Sequence, residues 1–218
     1  MSPSDRPAAP HETDAAARPV RADARRNVDA LLEAAKDVFA ASGVDAPVRE
    51  IAARAGVGVG TVYRHFPQRS DLVAAVFRRE VDACAAAATA LSCECKPGVA
   101  LERWLRRYSG FIATKRGLAA ALHTWAPAFD ALPAYFQDRL GPALASLLQS
   151  AEAAGEIRTG VEPGDLLRAV ANLCHSTDGD GDAQSQRMVA LLLDGLRYGA
   201  RAPAQEPAPT RDDGALGA

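Results

Sequence analysis

The chain has 218 residues, a formal net charge of −2 and 48% hydrophobic residues, many of them alanine. A chain this long holds one large domain or a small domain beside a larger one, and its near-neutral balance leaves any affinity for nucleic acid to local charge asymmetry. No apolar run approaches the ~20 residues of a membrane span, and the N-terminus has no apolar signal-peptide core, so a soluble, cytoplasmic protein with no membrane partner is expected.

Taken in chain order, residues 1–20 are rich in Pro, Ala, Asp and Arg without helical periodicity and are expected to be disordered. A first helix follows from about Ala24 to Ala41, with Val28, Leu31, Leu32, Ala35, Val38 and Phe39 on one face and Ser42-Gly43 as its stop. Pro47 suits the first turn of a second helix, where its missing N–H costs nothing. There Val48, Ile51, Ala52 and Ala55 recur at i, i+3, i+4 and i+7. Gly56-Val57-Gly58 breaks that helix, and a third, short pattern buries Val62 and Phe66. Two short helices joined by a glycine-bearing turn make a helix-turn-helix, whose second helix enters a DNA major groove.

A long fourth helix is expected from Ser70 to about Leu91, with Leu72, Val73, Val76, Phe77 and Val81 buried. Helical patterns then run over about Gly98–Thr114, Arg116–Trp125, Pro133–Ala154, Pro163–His175 and Gln184–Gly199, making an all-α chain of about nine helices. Residues 202–218 are Pro-rich and are expected to be disordered. No period of 20–50 residues repeats, which excludes a solenoid.

The run Arg49-Glu50-Ile51-Ala52, Ala55-Gly56-Val57, Gly60-Thr61-Val62-Tyr63-Arg64-His65-Phe66 and Asp71-Leu72 resembles the DNA-binding domain of the TetR family of bacterial repressors. Gly58 departs from the family's usual Ser or Thr and lacks the hydroxyl of a strong N-cap. Arg69 stands where Lys is common and keeps the charge. The resemblance, together with the composition of the two tails, implies four regions. These are a tail over 1–20, a three-helix helix-turn-helix over 21–69, a helical effector-binding and dimerisation domain over 70–201, and a tail over 202–218. It implies that the protein is not an enzyme but a repressor, released from a near-palindromic double-stranded operator by an unidentified small molecule.

Carried over residue by residue, the resemblance makes Arg49, Val59, Gly60, Thr61, Tyr63, Arg64, His65 and Arg69 the DNA-binding set. Arg49 suits a guanine edge, a phosphate or a solvated helix face. Val59 and the Thr61 methyl suit a thymine methyl, and Gly60 allows close approach. Tyr63, His65 and Arg69 would hold phosphates, while Arg64 suits base or backbone. From Arg18 to Arg79 the chain carries eleven Lys/Arg against seven Asp/Glu, a weak local excess. The arginines Arg18, Arg21, Arg25 and Arg26 would form either a minor-groove arm or a solvated tail.

In the C-terminal part, Trp104, Tyr108, Phe111, His123, Trp125 and Phe136 are the candidate effector-binding residues. Aromatics at this spacing make either an ordinary core or the wall of a cavity between helices. The last two helices are broadly apolar, through Leu166, Leu167, Val170 and Leu173 and then Met188, Val189, Leu191, Leu192, Leu193 and Leu196. The family resemblance makes them the homodimer interface. No cofactor or metal is expected. An alternative is a metal or redox sensor using Cys93, Cys95 and Cys174, against which stands the absence of paired zinc spacing. A second alternative is a helical binding or enzyme domain that has lost DNA binding, although none of the common nucleophile, P-loop or zinc-protease motifs occurs.

Overall fold

Hydrophobic stripes at helical spacing build a bundle. The computed structural model describes residues 13–122, 129–174 and 181–198, and among these there are eight helices and no strand. They are α1 (Thr13–Ser42), α2 (Val48–Ala55), α3 (Val59–His65), α4 (Arg69–Glu94), α5 (Pro97–Leu122), α6 (Leu132–Ala153), α7 (Pro163–Leu173) and α8 (Gly181–Tyr198). The all-α expectation is met.

The expected boundaries shift at four places. α1 begins at Thr13, inside the stretch expected to be disordered. Pro47 stands at the N-cap of α2 rather than within its first turn. α4 begins at Arg69 rather than Ser70, which is buried in its first turn, and Asp71 accepts the backbone N–H of the N-cap Gln68 at 3.0 Å. The fifth and sixth helices expected separately are one, because Thr114-Lys115-Arg116 contains neither Pro nor Gly and α5 runs through it to Leu122. His123 and Trp125, like both chain tails beyond 13 and 198, lie outside the described residues.

One hydrophobic core runs from Leu31 in α1 to Leu196 in α8. α4 is its spine: Leu72, Val73, Val76, Phe77, Val81 and Cys84 are buried in succession, and α4 packs on α1, α5 and α6. α4 thus joins the first helices and the rest of the bundle in one core. Polar links reinforce it. Arg79 pairs with Glu33 at 3.1 Å and Lys36 with Glu80 at 3.2 Å, tying α1 to α4. At the other end, Glu102 on α5 holds both Arg106 and Arg197 of α8. These contacts hold its carboxyl below the usual glutamate range, the Arg197 hydrogen bond most strongly, then, against the opposing cost of burial, the Arg106 bond and both positive charges.

Candidate nucleic-acid interface

Gly56 ends α2 in the left-handed conformation, φ 68°, a region glycine enters freely. Gly58 is the N-cap of α3 and, as its missing hydroxyl dictates, makes no side-chain cap bond. Val62 is 1% exposed and anchors α3 inward, with Phe66 packed against the same core. At 3.6 residues per turn this places Gly60 and Arg64 on the opposite, outward side. Tyr63 forms one shoulder of that face, and Thr61 with His65 the other.

The outward set is open to solvent. Val59 is 40% and Tyr63 52% exposed, unusual for residues with this much apolar surface, and Gly60, Arg64, His65 and Arg49 are exposed as well. Among the described residues, Arg49, Tyr63 and Arg64 have no hydrogen-bond or ion-pair partner. Thr61 is half-buried at the edge. A Cβ built at Gly60 meets nothing within 4 Å. The fold therefore does not require glycine at this helical position, where glycine costs about 1 kcal/mol against alanine. Val59, Gly60, Tyr63, Arg64 and His65 are thus all solvent-accessible on α3, with Thr61 at their edge, and Arg49 is accessible on α2.

Arg69 does not join them. Its guanidinium turns inward, donating Nη1 to the Val44 carbonyl and Nη2 to the Ala46 carbonyl. Those carbonyls belong to the turn between α1 and α2, where Val44 and Ala46 are buried. Helix ends and tight turns leave carbonyls without intrahelical partners, and a planar fork reaches two of them at once. The residue expected to grip phosphate instead clasps the first turn of α4 to the helix-turn-helix.

The aromatic candidates divide. Trp104, Tyr108, Phe111 and Phe136 come together with Phe77 of α4. Trp104 and Tyr108 stack at 5.7 Å, Phe77 lies 5.7 Å from Phe111, and Phe136 lies 6.0 Å from Tyr108 and 6.3 Å from Phe111. Trp104 and Tyr108 are core residues with their polar tips already paired. Indole Nε1 donates to the Cys84 carbonyl at 2.8 Å, and the Tyr108 hydroxyl donates to the Leu167 carbonyl at 3.2 Å. Burial pushes the Tyr108 hydroxyl well above the usual phenol range. Phe111 and Phe136 are only half-buried and form the accessible edge of the cluster.

Two polar sites escaped the sequence. Asp82 on α4 accepts the Tyr135 hydroxyl and Arg139 Nε of α6, each at 2.7 Å. Buried Ser109 lies 3.2 Å from the buried Cys174 sulfur. Both join elements more than fifty residues apart, and no local spacing announces them. The cysteines themselves separate. Cys84 and Cys174 are buried, and Cys93 and Cys95 lie at the α4 terminus. The three proposed sensor cysteines therefore do not form one solvent-facing set, and no group of three or more metal-ligating side chains occurs among the described residues. Nor is any described helix long and apolar enough to cross a membrane.

Comparison with known proteins agrees with this geometry. Residues 31–76 match the family model described as bacterial regulatory proteins, tetR family, and residues 96–198 match that of a transcriptional regulator SbtR-like C-terminal domain. A TetR transcriptional regulator from Streptomyces coelicolor superposes with a TM-score of 0.67 at 37% identity, covering 78% of this chain and 97% of that one. A TetR-like regulator, LfrR, from Mycobacterium smegmatis, solved in complex with proflavine, has a TM-score of 0.58 at 25% identity and covers 82% and 98%. A helix-turn-helix transcriptional regulator of Staphylococcus aureus (strain USA300) is 39% identical over 64 residues, 29% of this chain and 35% of that protein. The match thus spans about a third of the length of such curated relatives.

Proposed function

Since this chain belongs to the TetR family of bacterial transcriptional regulators, we propose that it is a ligand-responsive repressor that binds a near-palindromic operator as a homodimer. The observation that carries the reading is the outward face of α3, where Gly60 and Arg64 stand unobstructed between the Tyr63 and His65 shoulders. A recognition helix needs this arrangement: its centre reads base edges, and its flanks hold the phosphates that fix register. Arg64 presents a guanidinium fork suited to guanine, Val59 and Thr61 present methyl groups suited to thymine, and Arg49 adds a cation from α2.

In this reading the dimer forms through α8. Leu191 is 66% and Tyr198 82% exposed. With Gln184, Met188 and Gly195 they recur at alternating spacings of four and three, the seam of a helix that packs on another. Gly195, with nothing within 4 Å of a built Cβ, lets a second backbone come close. Leu196 and Val189 face inward and are buried within one chain, so only part of the apolar surface of α8 is left for a partner. Two recognition helices related by a two-fold axis then meet successive major grooves about 34–36 Å apart.

The effector site in this reading lies at the half-buried edge of the aromatic cluster, Phe111 and Phe136, beside Tyr108 and Phe77. The proflavine complex of the Mycobacterium smegmatis relative is in keeping with a small apolar or aromatic effector. Phe77 belongs to α4, whose first residue, Arg69, clasps the α1–α2 turn. A ligand that favours one position of α4 changes the separation of the recognition helices, by an amount set by its unequal affinity for the two arrangements. The direct test is a mobility-shift titration with the DNA upstream of the protein's own gene. Two chains per site, resistant to excess unrelated DNA, are expected. Equal affinity for both DNAs overturns the reading.

A further inference from the structure

The α4 terminus carries a feature that DNA recognition and effector binding leave unused. Cys93 is exposed in the last turn of α4, and Cys95, its C-cap, is partly exposed. Arg103, one turn or more into α5, points its guanidinium back at Cys95, Nη1 lying 3.4 Å from its Sγ. The other two thiols have no such access. Cys84 is 2% exposed and burial pushes its thiol up to about 12, with Arg107 opposing and Glu80 assisting. Cys174 is fully buried against Ser109. Thiol chemistry follows access and a neighbouring cation, and both are found at one end of α4 only.

We propose that Cys93 and Cys95 form a dithiol site that reacts with hydroperoxides, with Cys95 as the attacking sulfur and Cys93 as the resolving one. In the first step the Cys95 thiolate attacks the distal peroxide oxygen. An S–O bond forms, the O–O bond breaks, and the alkoxide leaves, taking up a proton to become the alcohol. The Arg103 guanidinium, already against the sulfur, holds the negative charge that builds on the departing oxygen. In the second step the Cys93 thiol attacks the sulfenic sulfur of Cys95. An S–S bond forms and water leaves, so the two thiols together lose two electrons and two protons to the peroxide.

The bond has a structural consequence. A disulfide needs its Cβ atoms about 3.5–4.5 Å apart; Cys93 lies within α4, whereas Cys95, its C-cap, is extended at φ −128°, ψ 158°. Closing the bond loosens the last turn of α4 at the hydrogen bond from the Cys95 N–H to the Leu91 carbonyl, 2.9 Å long in the reduced protein. The opening is confined to the helix end, where fraying costs least.

The test treats reduced, full-length protein with one equivalent of tert-butyl hydroperoxide and follows each cysteine by alkylation and peptide mass mapping. The expected product is a Cys93–Cys95 peptide lighter by two hydrogens, with Cys84 and Cys174 alkylated only after denaturation. Cys93→Ser leaves Cys95 as a sulfenic acid that dimedone traps. Arg103→Ala slows the reaction by about tenfold or more, the scale of one hydrogen bond to a developing charge, and Arg103→Lys restores part of it. Reaction of the pair no faster than N-acetylcysteine overturns the proposal. So does an unchanged rate in Arg103→Ala, or a disulfide that joins either cysteine to Cys84, to Cys174 or to a second chain.

Discussion

Replacing Arg69 with alanine removes two hydrogen bonds from a charged donor to the carbonyls of Val44 and Ala46 and leaves those carbonyls in a largely buried turn. A hydrogen bond to a charged group contributes ~1.5–3 kcal/mol. The half-exposed guanidinium lowers that contribution through solvent screening, so the pair together is worth about 2–3 kcal/mol. For a chain of this size, 1 kcal/mol moves the melting midpoint by about 2–4 °C, so Arg69→Ala should melt about 4–12 °C lower. The salt dependence of operator binding separates this role from phosphate binding. A lost phosphate contact reduces the slope of log K against log salt by about 0.9, hence about 1.8 for the two chains of a dimer. The clasp predicts a lower midpoint and an unchanged slope. An unchanged midpoint with a slope reduced by about 1.8 would refute it and restore Arg69 to the backbone contacts.

Tyr63→Phe, which keeps the ring and removes only an exposed hydroxyl, should leave melting unchanged and weaken binding to all DNA sequences alike, read by anisotropy on matched and mismatched duplexes. Leu191→Glu with Tyr198→Glu should split the dimer in sedimentation while preserving helicity, because both side chains are exposed in one chain; Leu196→Glu should unfold it instead, since it places a charge in the core. Trp104→Phe removes the donor to the Cys84 carbonyl and should cost about 1–3 kcal/mol in denaturant unfolding. Glu102 has a folded-state pKa below its unfolded value, so its stabilisation is present above the unfolded carboxyl value of about 4.3 and is lost as pH falls through the lower folded value. Glu102→Gln should flatten the stability profile in that acid window, read from urea midpoints, and leave neutral-to-alkaline slopes unchanged.

The parts of the fold that local chemistry controls were legible in the sequence. Gly43, Gly56 and Gly155 mark helix ends with positive φ, and the stripes from Leu31 to Phe39 and from Leu72 to Val81 are buried as their spacing dictates. The α3 surface was legible too, because the inward pair Val62 and Phe66 fixes what faces outward. Where a long side chain could bend toward either of two partners, spacing gave no answer. Arg69 lies at the start of a helix beside the proposed DNA surface, yet turned toward carbonyls 23 and 25 residues earlier in the chain. Leu191, Leu192, Leu193 and Leu196 read alike as apolar, and only packing against α5 and α7 decides that Leu193 and Leu196 are core and Leu191 is not. Trp104 and Tyr108 invited a cavity because their polar tips need partners. The partners turned out to be the backbone carbonyls of Cys84 and Leu167, which no sequence pattern encodes.

Gly60 offers the sharpest test of whether the outward face of α3 reads DNA. Leucine is among the better helix formers, and open space surrounds the Gly60 position, so Gly60→Leu should fold with equal or greater stability. The same side chain, projecting where a base edge must approach, should abolish the preference for the upstream operator over unrelated DNA. Gly60→Leu should show a thermal melting midpoint at or above wild type and, by anisotropy at one fixed salt concentration, a specific affinity reduced to the non-specific level. A variant with that midpoint and undiminished operator affinity would contradict DNA reading by this face.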